Sequence, residues 1–143
     1  MSLSMTSGQR PLAVVTGAST GIGYELAKCC AREGFNLLVA ADEPAIQDAA
    51  EDFHKLGAAV DAVQADLSTT EGVDALYAAA RGRPVEALLA NAGRGLEHGF
   101  LDQDWDQARK VVDTDITGTI YLIQKVGRDM RARKQGRILI DGW

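Results

Sequence analysis

Cysteine is scarce in this 143-residue chain: there are two, and they are neighbours, Cys29 and Cys30. Adjacent residues cannot both face one metal from a helix, and no C-x-x-C spacing occurs. Both are expected to be small packing residues in a reducing cytoplasm. Histidine is equally sparse, and His54 and His98 have no partner at ligand spacing, so both are expected to be surface or loop residues. No apolar run approaches the roughly 20 residues that a membrane helix needs. The opening residues, Met1 to Gly8, lack the apolar stretch of a secretory signal. Positive charge is in deficit, with 15 Lys and Arg against 20 Asp and Glu and a net charge of −5. That balance argues against nucleic acid or an anionic membrane as the main partner. Repeats, linkers and low-complexity segments are also lacking. The chain therefore reads as a flexible leader over residues 1–10, with Met1–Ser4 a possible expression scar, followed by one domain over 11–143.

What is present begins with the apolar run Leu12-Ala13-Val14-Val15, which breaks into Thr16-Gly17-Ala18-Ser19-Thr20-Gly21-Ile22-Gly23. A strand that ends in three glycines and opens a helix can turn sharply and let an anion approach its bare backbone. The helix N-terminus adds unpaired N–H groups and about half a positive charge. The spacing G-x-x-x-G-x-G differs from the commoner G-x-G-x-x-G, but strand before and helix after supply the right context for a dinucleotide.

Short apolar runs then alternate with helical patterns, the mark of βαβ units around a parallel sheet. Strands are expected at Leu12–Thr16, Leu37–Ala41, Ala59–Gln64, Val85–Ala90 and Arg137–Ile140. The first helix would bury a stripe of Ile22, Leu26, Cys29 and Cys30, and end at Gly34. Pro44 suits the first turn of the second helix, which Gly57 ends. Ser68 or Thr69 would cap the third, which runs to about Arg81. A loop over Asn91–Gly99 leads to one long helix, about Asp104 to Arg133, whose stripe Val112, Ile116, Ile120, Ile123 and Met130 is widened by Leu122 and Val126. Part of that width would serve a subunit contact. Right-handed crossovers give a doubly wound Rossmann-like α/β sheet of order 3-2-1-4-5, with the ligand at the switch between strands 1 and 4.

Three landmarks follow the glycine segment: Asp66-Leu67 after strand 3, Asn91-Ala92-Gly93 after strand 4, and Gly136-Arg137-Ile138 opening strand 5. With the T-G-x-x-x-G-I-G opening, the chain resembles the short-chain dehydrogenase/reductase family from about Leu12 to Ile140. The resemblance implies an oxidoreductase that passes hydride between a nicotinamide cofactor and an alcohol or carbonyl substrate. It implies that Gly17, Ser19, Thr20, Gly21, Ile22 and Gly23 cradle the pyrophosphate and its ribose. Asp66 would meet the adenine amino group beside Leu67, and Asn91, Ala92 and Gly93 would line the cofactor. The residues alone also allow Asp66 to cap the third helix and Asn91–Gly93 to be a plain turn. At the end of strand 2, Ala41 stands where relatives that prefer NAD keep an Asp, and Asp42 where those that prefer NADP place an Arg. A carboxylate there favours NAD over NADP.

The sequence also departs from the family. The Ser and the Tyr-x-x-x-Lys that carry hydride chemistry lie after strand 5 in relatives, and these 143 residues hold neither. Tyr121 has Lys125 four residues on, but in the long helix, where it reads as a surface neighbour pair. Asp115 occupies the position of the family's helix Asn, which puts the associated proton relay in doubt. The chain as written is expected to bind NAD without turnover and to act on a small-molecule substrate only when the missing part is supplied. The alternative is a non-catalytic nucleotide-binding or sensing module that pairs with a partner chain. Strand 5 would be a bare sheet edge that invites such pairing, and a homo-oligomer is expected.

Overall fold

The computed structural model describes residues 10–93, 95 and 98–141. Residues 1–9 of the leader, Arg94, Leu96 and Glu97 of the loop after strand 4, and the final Gly142-Trp143 lie outside the described residues. The elements run β1 (Leu12–Thr16), α1 (Gly21–Arg32), β2 (Asn36–Ala41), α2 (Ala45–Lys55), β3 (Val60–Gln64) and α3 (Thr70–Ala79). After β4 (Val85–Ala90) come a short 3-10 turn (Phe100–Asp102), α4 (Trp105–Val112), a π-helical segment (Asp113–Gly118), α5 (Thr119–Arg133) and β5 (Arg137–Ile140). The five strands form one parallel sheet in the order β3-β2-β1-β4-β5.

β1, β2 and β4 feed two cores, because neighbouring side chains point to opposite faces. Leu12, Val14, Leu38, Ala40 and Leu88 pack beneath α3 and α5 with Val73, Leu76, Leu122, Val126 and Met130. Ala13, Val15, Leu37, Val39 and Leu89 pack beneath α1 and α2 with Ala27, Ala31, Ile46 and Phe53. Coverage on both faces is why β1 and β2 are almost continuously apolar.

Two helical stripes differ from expectation. In α1 the buried residues are Gly23, Ala27 and Ala31, while Ile22 and Cys29 are exposed and Leu26 and Cys30 half-buried. Small residues face the sheet because the helix is drawn close: a Cβ on Gly23 would lie 2.1 Å from the Gly17 carbonyl oxygen. Cys29 is therefore not a packing residue, whereas Cys30 rests against the core and burial raises its thiol pKa. The expected long helix is interrupted by the π-helical segment, which changes the helical phase. Its sheet-facing residues are Ala108, Thr114, Gly118, Leu122, Val126 and Met130, while Val112, Ile116 and Ile120 face outward.

Tyr121 and Lys125 are more than surface neighbours. The Tyr121 hydroxyl donates to Asp74 Oδ1 at 2.8 Å, and Lys125 Nζ lies 3.2 Å from the same oxygen. Lys125 Nζ also sits 5.2 Å and 4.9 Å from the ring centres of Tyr77 and Tyr121. The hydrogen bond from Tyr121, then that from Lys125, hold the Asp74 carboxyl below its usual range. The cluster staples α3 to α5. Arg10, grouped with the leader in the sequence, is tied to the fold through the carbonyls of Ala31 (2.7 Å), Gly34 (2.8 Å) and Gly57.

Candidate functional site

At the carboxyl ends of the strands lies a crevice of about 430 Å³. It is lined by Gly17, Ser19, Thr20 and Ile22 after β1, by Ala41, Asp42 and Glu43 after β2, and by Ala65, Asp66 and Leu67 after β3. Asn91, Ala92 and Gly93 after β4, Thr114 of the π-helical segment and Asp141 after β5 complete it. Its centre is the point between β1 and β4 where the strand order reverses, the place where open α/β sheets hold ligands.

The glycine turn is built by conformation and by contact. Gly17 and Gly21 have φ of +65° and +62°, which side chains rarely adopt. A Cβ on Gly21 would meet nothing within 4 Å, whereas one on Gly17 would lie 3.0 Å from Ala92 Cα. Gly17 and Gly23 thus let loop and helix approach each other, and Gly21 leaves open space. Helix α1 starts without a side-chain cap from Thr20 and without an acidic residue in its first turn. Its first N–H groups have the orphan character that suits an anion.

β1 and β4 are joined through Thr16, which is almost fully buried. Its Oγ1 accepts from the backbone N–H of Asn91 and of Ala92, each at 2.9 Å. The Asn91 side-chain amide donates to the Gly17 carbonyl at 3.2 Å. At the β2 corner the Ser19 hydroxyl donates to the Glu43 carboxylate, bridging the two loops, and Asp42 is exposed beside it.

Beyond β3, Asp66 Oδ1 accepts from the Ser68 N–H (3.0 Å) and the Ser68 hydroxyl (2.6 Å), while Oδ2 lies 3.5 Å from Lys110 Nζ. The Ser68 hydroxyl is the largest influence holding this carboxyl below its usual range; burial opposes it, and the Ser68 N–H and Lys110 add to it. Thr69, not Asp66, caps α3, accepting from the Gly72 N–H at 3.0 Å. The loop is wedged in place by two glycines: a Cβ on Gly72 would lie 1.9 Å from the Asp66 carbonyl oxygen, and one on Gly118 would lie 1.8 Å from that of Leu67.

One polar atom in the wall is orphaned. Thr114 is 8% exposed and its hydroxyl has no hydrogen-bond partner among the described residues. A buried hydroxyl left unpaired is costly, and this one lines the crevice. An uncapped helix terminus, a glycine facing open space and an unpaired hydroxyl together fit a nucleotide with a diphosphate.

Of the residues singled out in the sequence, Gly17, Ser19, Thr20, Ile22, Asp42, Asp66, Leu67, Asn91, Ala92 and Gly93 line the crevice. Gly21 and Gly23 are not among its lining residues, and neither is Asp115, half-buried on the π-helical segment. Sequence reasoning missed Thr16, Glu43, Lys110 and Thr114. Lys110, Thr114 and Gly118 recur every four residues, a helical signal, but their partner loop lies more than 40 residues away in sequence. No described helix is long and apolar enough to cross a membrane, and no His, Cys, Asp or Glu cluster that could hold a metal occurs among the described residues.

Comparison with known proteins agrees with this geometry. A family model described as short chain dehydrogenase matches residues 11–140. The chain is 34% identical over 134 residues to an NADP-dependent mannitol dehydrogenase of Alternaria alternata, covering 89% of this chain and 50% of that protein. It is 36% identical over 129 residues to a galactitol 2-dehydrogenase of Cereibacter sphaeroides, covering 89% and 50%. Among solved structures, an L-sorbose reductase from Gluconobacter frateurii complexed with NADPH and L-sorbose superposes with a TM-score of 0.84 at 29% identity, covering 92% of this chain and 52% of that one. The chain spans about half the length of the curated relatives it matches. With its parallel 3-2-1-4-5 sheet, its glycine turn and a family match over nearly all described residues, the chain belongs to the short chain dehydrogenase family.

Proposed function

We propose that this chain is the cofactor-binding part of an oxidoreductase that passes hydride between a nicotinamide dinucleotide and an alcohol or carbonyl substrate, and that it takes NAD in preference to NADP. The observation that carries this reading is the crevice at the strand-order reversal, where the uncapped α1 terminus, Asp66 and the Asn91–Gly93 segment converge. The α1 terminus and the Gly17–Gly23 turn hold the diphosphate. Asp66 and Leu67 hold the base, and Asn91, Ala92 and Gly93 hold the nicotinamide half. A bound cofactor supplies the hydride; the residues here bind and orient it.

Several relatives and neighbours are named with NADP or NADPH, so the preference for NAD rests on this chain's own carboxylates. Asp42 and Glu43 line the crevice together with no Lys or Arg among the lining residues. They accept from ribose hydroxyls and repel a 2′-phosphate. Turnover is not assigned to these residues, because Tyr24, Tyr77 and Tyr121 lie outside the crevice lining. The partner assigned to the outward face of Val112, Ile116 and Ile120 is a second copy of the chain.

Calorimetric titration with NADH and NADPH tests the reading. Saturable binding of NADH, with NADPH weaker, is expected. Absence of binding by either at millimolar concentration overturns it, and steady oxidation of NADH with simple ketones overturns the assignment of binding without turnover.

A further inference from the structure

The ends of β1, β2 and β3 lie side by side, with β2 in the middle. The glycine turn follows β1, Asp66 follows β3, and between them the turn after β2 carries Glu43. Two sets of contacts hold the first two turns together. The N–H groups of Gly17 and Ala18 donate to the Ala40 carbonyl at 2.8 Å and 3.3 Å. Farther along both turns, the Ser19 hydroxyl donates to Glu43 Oε1. Glu43 is also fixed through its main chain, its carbonyl accepting from the Ile46 N–H at 3.3 Å. Both Ser19 and Glu43 line the crevice. A dinucleotide with its diphosphate on the glycine turn and its base at Asp66 must carry the ribose between them across the end of β2, onto this pair.

The hydrogen bond decides what this pair offers a ligand. A serine hydroxyl has one proton to donate, and an ionised carboxylate only accepts. Here the proton goes to Glu43, so both side chains present nothing but lone pairs to the crevice. Ribose hydroxyls can donate, and an acceptor pair complements them. A 2′-phosphate carries acceptor oxygens and nearly two negative charges. It meets a carboxylate that repels it and a hydroxyl whose donor is already taken. Released from Glu43, the same hydroxyl is a donor at the same place.

We propose that Ser19 is a specificity-determining residue whose proton Glu43 holds, so that the pair excludes a 2′-phosphate by denying it a donor as well as by charge. The proposal rests on the cofactor reading above and adds to it how the preference for NAD is made. Repulsion by Glu43 acts whether or not residue 19 has a hydroxyl. Withholding a donor needs that hydroxyl, so the two effects can be separated by substitution.

The test is calorimetric titration of the full chain with NADH and NADPH, the weaker ligand measured by displacement. It is run on wild type, Glu43→Ala, Ser19→Ala, the two combined, and Glu43→Ala with Ser19→Thr, with urea midpoints to verify folding. The quantity read is the affinity for NADPH relative to that for NADH. Glu43→Ala should raise this ratio by a factor of about 10 to 100, since it removes a repulsion and frees a donor to a charged group. In the Ser19→Ala background the same removal of Glu43 should raise it about tenfold less, because no hydroxyl is there to be released. Ser19→Thr keeps a hydroxyl and should restore the rise. A hydroxyl that only shaped the glycine turn would change both affinities alike and leave the rise untouched. No rise in Glu43→Ala, or an equal rise with and without the Ser19 hydroxyl, overturns the proposal while NADH binding stands. Wild-type affinity for NADPH equal to or above that for NADH overturns the preference for NAD and this proposal with it. Failure of NADH itself to bind the wild type overturns the whole cofactor reading.

Discussion

The Thr16 hydroxyl receives the backbone N–H of Asn91 at 2.9 Å, and that of Ala92 at the same distance, across the point where the strand order reverses. One almost fully buried side chain thus satisfies two main-chain donors of the segment after β4. Thr16→Val keeps the shape and removes the acceptor. Leaving buried donors unpaired costs about 1–3 kcal/mol. The variant should lose about that much in urea denaturation and bind NADH more weakly, because Asn91–Gly93 is no longer anchored. Unchanged stability would mean that water replaces the hydroxyl without cost.

The glycines separate packing from access. Gly23→Ala puts a Cβ 2.1 Å from the Gly17 carbonyl oxygen, so α1 must move off its loop. Gly21→Ala meets no atom within 4 Å but forces a side chain to φ +62°, at a cost of about 1–2 kcal/mol. The first variant should be strongly destabilised in denaturant titration. The second should fold and lose affinity for NADH in calorimetry. Equal stability losses in the two would remove the distinction.

Thr114 offers an opposite pairing of effects. Its hydroxyl is buried without a partner among the described residues, so Thr114→Val should leave stability unchanged or raise it by up to about 1 kcal/mol. If that hydroxyl meets the cofactor, NADH should bind several-fold more weakly to the same variant. A fall in stability with no change in affinity would place the role of the hydroxyl inside the fold.

Much of this was legible in the residues, for physical reasons. β1, β4 and β5 run over the expected residues because apolar runs bounded by glycine, proline or asparagine leave little choice of boundary. The strand order follows from crossover handedness. The facing of α1 was not legible: large residues mark a buried stripe, and here Gly23, Ala27 and Ala31 face the sheet because the helix is drawn in close. Nor was the phase of the long helix, since nothing in Asp113–Gly118 announces a π-helical turn, yet that turn decides that Ile116 and Ile120 point outward. In the crevice, residues in contiguous motifs were found. Lys110, Thr114 and Glu43 were missed because their significance lies in a contact across the fold rather than in their neighbours in sequence.

Cofactor choice depends on Asp42 and Glu43. Two unit charges about 4 Å apart interact by roughly 4 kcal/mol at an effective dielectric near 20. Both carboxylates are exposed, so solvent and salt reduce the effect on a 2′-phosphate well below that figure. NADPH should bind more weakly than NADH at low ionic strength, and the gap should narrow as salt rises. Asp42→Arg combined with Glu43→Gln should reverse the order. A gap insensitive to salt would point to shape rather than charge.

Two apolar surfaces compete as the site of self-association, and substitution can separate them. Ile116 and Ile120 are 54% and 58% exposed at four-residue spacing on the outer helix face. Asp102, Asp104 and Asp106 stand near the start of that helical stretch and Arg128, Arg131 and Arg133 near its end, so an antiparallel second copy would bring opposite charges together. The other surface is β5, which pairs with β4 alone among the described residues and has all four residues exposed. Sedimentation velocity should show reversible association of the wild type. Ile116→Lys with Ile120→Lys should shift it to monomer, because burying either isoleucine contributes on the order of 1 kcal/mol and burying a lysine charge opposes it. Leu139→Lys on β5 should leave the association in place. Loss of association with Leu139→Lys and its survival in the double helix variant would move the contact to the sheet edge.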